Sequence, residues 1–166
     1  LGTKVKTDSR RARPSPSVGI HAHPLDEVPM LEDALLSVEI AGILSSGRPW
    51  RDRIFLPHPL AFLMMKLFAF RDRIDDADKE FGRYHALDIY TILATTTETE
   101  WEQALGLRDR YAGEPCVVEA GLLVSRYFSA LDLMGMIRMR ESRYWHPGLQ
   151  LDEFMSALRE IFSAGS

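Results

Sequence analysis

The sequence predicts an α+β protein, a small strand-bearing amino-terminal part followed by a mainly helical bundle. Three observations lead there. Alternating or β-rich runs occur only ahead of Pro57, apolar residues recur at helical spacing from Leu60 onward, and Pro57-His58-Pro59 stands at the boundary between them. With 166 residues, 46% of them hydrophobic, the chain suits one ordinary core and is too short for two full-sized domains. We divide it at that boundary, into residues 1–57 and 58–166.

Residues 1–19 hold Lys4, Lys6, Arg10, Arg11 and Arg13 with prolines and serines, a composition suited to an arm or an exposed strand with a loop. Within Ser17–His23 the apolar Val18, Ile20 and Ala22 alternate with Gly19, His21 and His23, predicting a short strand that Pro24 ends. After Pro29, Leu31, Leu35, Val38 and Gly42 share a helical face, and Glu32 and Asp33 sit where a helix dipole favours acids. Helix is the preferred reading over this segment. A strand through Leu35–Ile43 competes, because Ser37, Glu39 and Ala41 alternate with larger apolar groups. Gly47-Arg48-Pro49 closes the element, and Arg53-Ile54-Phe55-Leu56 predicts a short strand.

A helix follows over Leu60–Arg73, started by a proline that has no amide hydrogen to leave unpaired. Its apolar groups run nearly all round, which predicts burial. Asp72, Asp75, Asp76, Asp78 and Glu80 form an acidic linker that stops at Gly82, and a helix is predicted over Arg83–Ala94. Thr97 and Glu100 have capping-box spacing and start a helix over Glu98–Tyr111, ended by Gly113. Helical spacing resumes from Pro115 to Arg143 as two helices broken near Ser129–Asp132. His146-Pro147-Gly148 turns into a last amphipathic helix over Leu151–Phe162.

The formal charge of −4 and the confinement of clustered basic residues to the amino end argue against broad nucleic-acid binding, which needs net local positive charge. One cysteine, Cys116, excludes an intrachain disulfide and a cysteine-only zinc site, and a cytoplasmic location is expected. No apolar run reaches the roughly 18 residues of a membrane span. The chain begins at Leu1 within a polar stretch, which we take as the start of a fragment of something longer.

The chemistry centres on one lysine inside an apolar run, Lys66 in Phe62-Leu-Met-Met-Lys66-Leu-Phe-Ala-Phe70, and on Asp88 inside a second. A buried ammonium costs several kcal/mol unless it meets an anion or neutralises. One reading pairs Lys66 with Asp88 across two packed helices as a structural bridge. The other puts Lys66 on a nucleotide phosphate, with Asp88 orienting it or helping to hold a hydrated metal. His85, three residues before Asp88 on the same face, is a further acid, base or phosphate contact, or else a packed histidine.

The pattern Lys66-x-x-Ala69-x-x-x-Arg73 after a strand and proline, then Arg83-x-His85-x-x-Asp88-Ile89-Tyr90-x-x-Leu93, resembles the second half of the bacterial AbiEii-type nucleotidyltransferases. These form a branch of the polymerase-beta-like superfamily whose toxin members belong to abortive-infection systems. The resemblance spans residues 53–94, about a quarter of the chain. It implies nucleotidyl transfer from an NTP with Mg2+, nucleotide contacts from Lys66, Asp88, His85 and Arg73, and an antitoxin or other protein partner. The superfamily also carries Gly-Ser followed by Asp-x-Asp on a strand, because two metals need clustered carboxylates. That motif is missing here: Asp26-Glu27, Glu32-Asp33 and Asp75-Asp76 are adjacent rather than alternate, and Asp76 and Asp78 lie in the acidic linker. The competing expectation is a noncatalytic helical interaction module.

Other residues receive plainer readings. His21 and His23 have strand spacing for two metal ligands but lack an evident third, and His58 and His146 beside prolines are expected at the surface or as caps. Cys116 opens an apolar helix, where a dipole lowers a thiol pKa, yet Val117 and Val118 favour a buried core thiol. Met64, Met65, Met134, Met136 and Met139 suit core filling better than a pliable groove.

Overall fold

The computed structural model describes residues 28–162. The basic arm, the predicted strand at Ser17–His23 and the His21/His23 pair lie outside them. The described part consists of an antiparallel hairpin followed by six helices, as the α+β expectation requires.

Strands β1 (Leu36–Ile43) and β2 (Pro49–Leu56) pair with Leu36 opposite Leu56, Val38 opposite Ile54 and Ile40 opposite Asp52. The helix preferred over residues 31–42 is therefore corrected to a strand. Leu36, Val38 and Ile40 alternate with polar or small groups, and a partner strand is available to take the ladder hydrogen bonds. The stripe of Leu31, Leu35, Val38 and Gly42 fits the helical period, whereas Leu36, Val38, Ile40 and Gly42 fit the period of two that the strand adopts. Leu31 instead lies in a turn, where its amide donates to the Val28 carbonyl at 3.1 Å. Gly47 closes the loop with a left-handed φ of 80°, a conformation that glycine adopts without a Cβ penalty.

Helix α1 (Pro59–Arg73) packs against α2 (Arg83–Thr95), α3 (Glu98–Arg110) and α4 (Pro115–Tyr127). Helix α5 (Met134–Arg140) lies on α2, and α6 (Leu151–Phe162) on α4, α2 and α3. At the centre, Phe70 meets Phe128 at 5.2 Å between ring centroids, and Phe128 meets Phe154 at 6.3 Å. Met64, Met136 and Met139 are fully enclosed around them, so these three fill the core, while Met134 is exposed. Thr97 and Glu100 form the expected capping box, each bonding back to the other's backbone amide. Among the described residues no helix is long and apolar enough to cross a membrane.

His58 caps α1: its Nδ1 accepts from the Leu60 amide at 3.2 Å. The capping role was legible in the sequence, but a surface position was not, since His58 is wholly buried. Cys116 is only half-buried, and burial pushes its thiol up rather than the helix dipole drawing it down. His146, by contrast, is exposed and accepts from the Gly148 amide at 3.0 Å within its turn.

Candidate anion site at the α1–α2 corner

Lys66 and Arg73 are seven residues apart on α1, two helical turns, and so project from one side of it. His85 and Asp88 occupy i and i+3 on α2. The chain reverses direction between the two helices through residues 74–82, and this brings the four side chains predicted from the sequence to one corner. Lys66 Nζ donates to Asp88 Oδ2 at 2.6 Å. His85 Nδ1 lies 4.0 Å from the same carboxylate oxygen, too far for a hydrogen bond.

The burial expected of the lysine is not what the fold provides. The side chains of Lys66 and Asp88 are 33% and 43% exposed, so the pair sits at the mouth of the helix interface. The reason lies in α1 itself: Leu63, Met64, Leu67 and Phe70 take the core positions, and Lys66 is left on the flank facing α2. A pair this exposed contributes about 1 kcal/mol or less. It remains within reach of solvent and of a dissolved anion.

Arg73, half-buried at the last turn of α1, has neither an ion-pair nor a hydrogen-bond partner among the described residues. It lines a cleft of about 230 Å³ with Asp78, Lys79, Glu80, Gly82, Tyr84 and His85. Burial pushes the His85 imidazole below its ordinary value; nearby Lys66 and Arg73 push the same way, and Asp88 only partly offsets them. Its Nδ1 is buried and without a hydrogen-bond partner. A neutral histidine beside two cations is poised to take up a proton when an anion arrives.

One wall of the cleft was not foreseen. The acidic linker is a turn, Ala77–Gly82, whose last three residues are all left-handed, with φ of 51° at Glu80, 53° at Phe81 and 73° at Gly82. Glycine tolerates this; a Cβ on Gly82 would also meet Phe70 Cδ2 at 3.0 Å. For Glu80 and Phe81 the conformation costs about 1–2 kcal/mol each. Glu80 accepts from the Tyr84 hydroxyl at 2.9 Å. Only Gly82 hinted at the turn in the sequence, and the charges around it read as a solvated run.

The residues do not suit a resident Mg2+. One Asp88 oxygen already accepts from Lys66, and among the described residues no three His, Cys, Asp or Glu side chains are grouped to hold a metal ion. The corner thus sets the Lys66 ammonium, the Arg73 guanidinium and the His85 imidazole beside the carboxylates of Asp88, Asp78 and Glu80. No family model, no curated protein and no solved structure matches this chain.

Proposed function

We propose that this chain is the nucleotide-contacting helical portion of a nucleotidyltransferase-like protein of the AbiEii-type group, and that Lys66, Arg73 and His85 meet the phosphates of an NTP. The observation that carries the reading is Arg73, a half-buried guanidinium without a partner among the described residues, in a cleft shared with His85. A guanidinium that no carboxylate or carbonyl engages is available to an anion, and a phosphate supplies the fork of acceptors that it fits. The cleft of about 230 Å³ suits a phosphate group rather than a whole nucleotide, so base and sugar would extend outward. In this reading Lys66 exchanges part of its bond to Asp88 for a phosphate oxygen, and Asp88 keeps it oriented. On the same reading the metal-binding carboxylates of transfer are not part of this sequence, and the chain alone is expected to be inactive.

The alternative is a noncatalytic helical interaction module, favoured by the closed 2.6 Å contact between Lys66 and Asp88. Thermal unfolding with and without ATP separates the two. A ligand at a hundred times its Kd stabilises by about 2.7 kcal/mol, which raises Tm by several degrees. The nucleotide reading predicts that rise, reduced in Arg73→Ala and Lys66→Ala. An unchanged Tm at millimolar ATP would leave the interaction module.

A further inference from the structure

Phe81 is the least comfortable residue at the corner and also one of the most firmly held. Its backbone is left-handed, which a bulky side chain adopts only when its surroundings impose it. Those surroundings come from two helices. The Arg138 guanidinium of α5 lies 4.5 Å from the ring centroid, and that of Arg83, on the first turn of α2, lies 5.8 Å away. Glu141, just past α5, ties the two arginines together, accepting from Arg83 Nε at 3.2 Å and from Arg138 Nη1 at 2.8 Å. The Phe81 amide donates to the Asp76 carbonyl at 2.9 Å, which fixes the other end of the turn.

We propose that Phe81, gripped by Arg138 and Arg83 through Glu141, is a positioning residue for the anion site: it holds the first turn of α2, and with it His85, against Arg73 and Lys66 of α1. The inference rests on the reading of this corner as the phosphate site. Gly82 packs on Phe70 directly behind Phe81, and His85 follows one helical turn later. Releasing Phe81 lets the strained turn relax toward ordinary backbone angles, and the start of α2 moves with it. Helix α5, which supplies no cleft-lining residue, thereby sets the geometry of the cleft.

His85 reports on this directly. The groups facing it are Lys66 and Arg73 from α1, Asp88 from its own helix, and Asp78, Lys79 and Glu80 from the turn that shares its cleft. Its titration is followed by NMR on the full chain without any nucleotide, so the outcome does not depend on whether ATP binds. In the parent protein His85 titrates below the ordinary histidine value. In Phe81→Ala the imidazole becomes hydrated and its titration rises by about half a pH unit or more, while Phe81→Tyr, which keeps a ring face for the arginines, leaves it unchanged. A merely structural role would lower Tm and leave His85 where it was. Should Phe81→Ala fail to fold, Glu141→Ala loosens the same grip at the surface and is expected to raise His85 as well. An unmoved His85 titration in a folded Phe81→Ala, or in Glu141→Ala where Phe81→Ala does not fold, overturns the proposal.

Discussion

In the bundle, Phe70, Phe128 and Met136 are completely enclosed, whereas in the hairpin Val38, Ile40 and Trp50 remain 37%, 38% and 38% exposed and Ile43 80%. The two regions use similar side chains. They differ in layers: each helix meets neighbours on more than one side, while the hairpin has a single sheet and no second layer against it among the described residues. Its register places Leu36, Val38, Ile40, Trp50, Ile54 and Leu56 on one face, and Glu39, Arg51 and Arg53 on the other, where Arg51 pairs with Glu39 at 3.3 Å. An isolated two-stranded hairpin is marginal in water. Amphipathic patterning therefore makes a strand here, but burial needs a second surface.

That contrast can be broken most severely in the core. Phe70→Ala should cost about 3–5 kcal/mol by removing the ring that touches both Tyr127 and Phe128. Val38→Ala should cost about 1 kcal/mol or less. Urea denaturation of the two variants measures the difference, and equal losses would mean that the hairpin face is packed in solution. A gentler pair uses glycine. A Cβ at Gly135 would lie 2.5 Å from Phe128 Cε1 and 2.6 Å from the Tyr127 carbonyl oxygen, so Gly135→Ala should cost about 1–3 kcal/mol. At Gly42 a Cβ would meet nothing within 4 Å, and Gly42→Ala should be neutral or stabilising by about 0.5 kcal/mol.

The smallest effect lies at the seam between the regions. Burial holds His58 below its ordinary value, against the opposing pull of the Glu100 carboxylate and backbone. The folded state therefore prefers neutral His58, and the unfolded chain takes up a proton at higher pH. The resulting stability is complete above about pH 6.5 and is lost as pH falls below that, toward the folded value. His85, lowered for the same leading reason, adds a loss of the same sign. Denaturation from pH 8 to 5 should show this decline, and His58→Asn, which can still cap α1, should remove its share.

Much of this architecture was legible in the sequence, for reasons that separate the two regions again. The helix bounds at Leu151–Phe162 and the capping box at Thr97 and Glu100 follow from local rules that tertiary context did not override. The Leu31–Gly42 segment misled because its apolar residues satisfied both periods, and only the partner strand decides between them. At the corner, Lys66, Asp88 and His85 stood out by type and spacing, while Arg73 entered only through the family resemblance. Their exposure was not, since it depends on which flank of α1 meets α2. The left-handed turn was hidden because Glu80 and Phe81 are not residues that usually adopt it; Arg138 and Glu141, more than fifty positions later, stand against it in the fold.

The proposed phosphate site requires Arg73, Lys66 and His85 to act together. An NMR titration of the full chain with ATP tests it residue by residue. Shifts are expected to concentrate at residues 66, 73, 78–85 and 88, with the His85 titration moving upward as the anion binds, and both are expected to be lost in Arg73→Ala. Shifts confined to another face, or none at millimolar ATP, would contradict it.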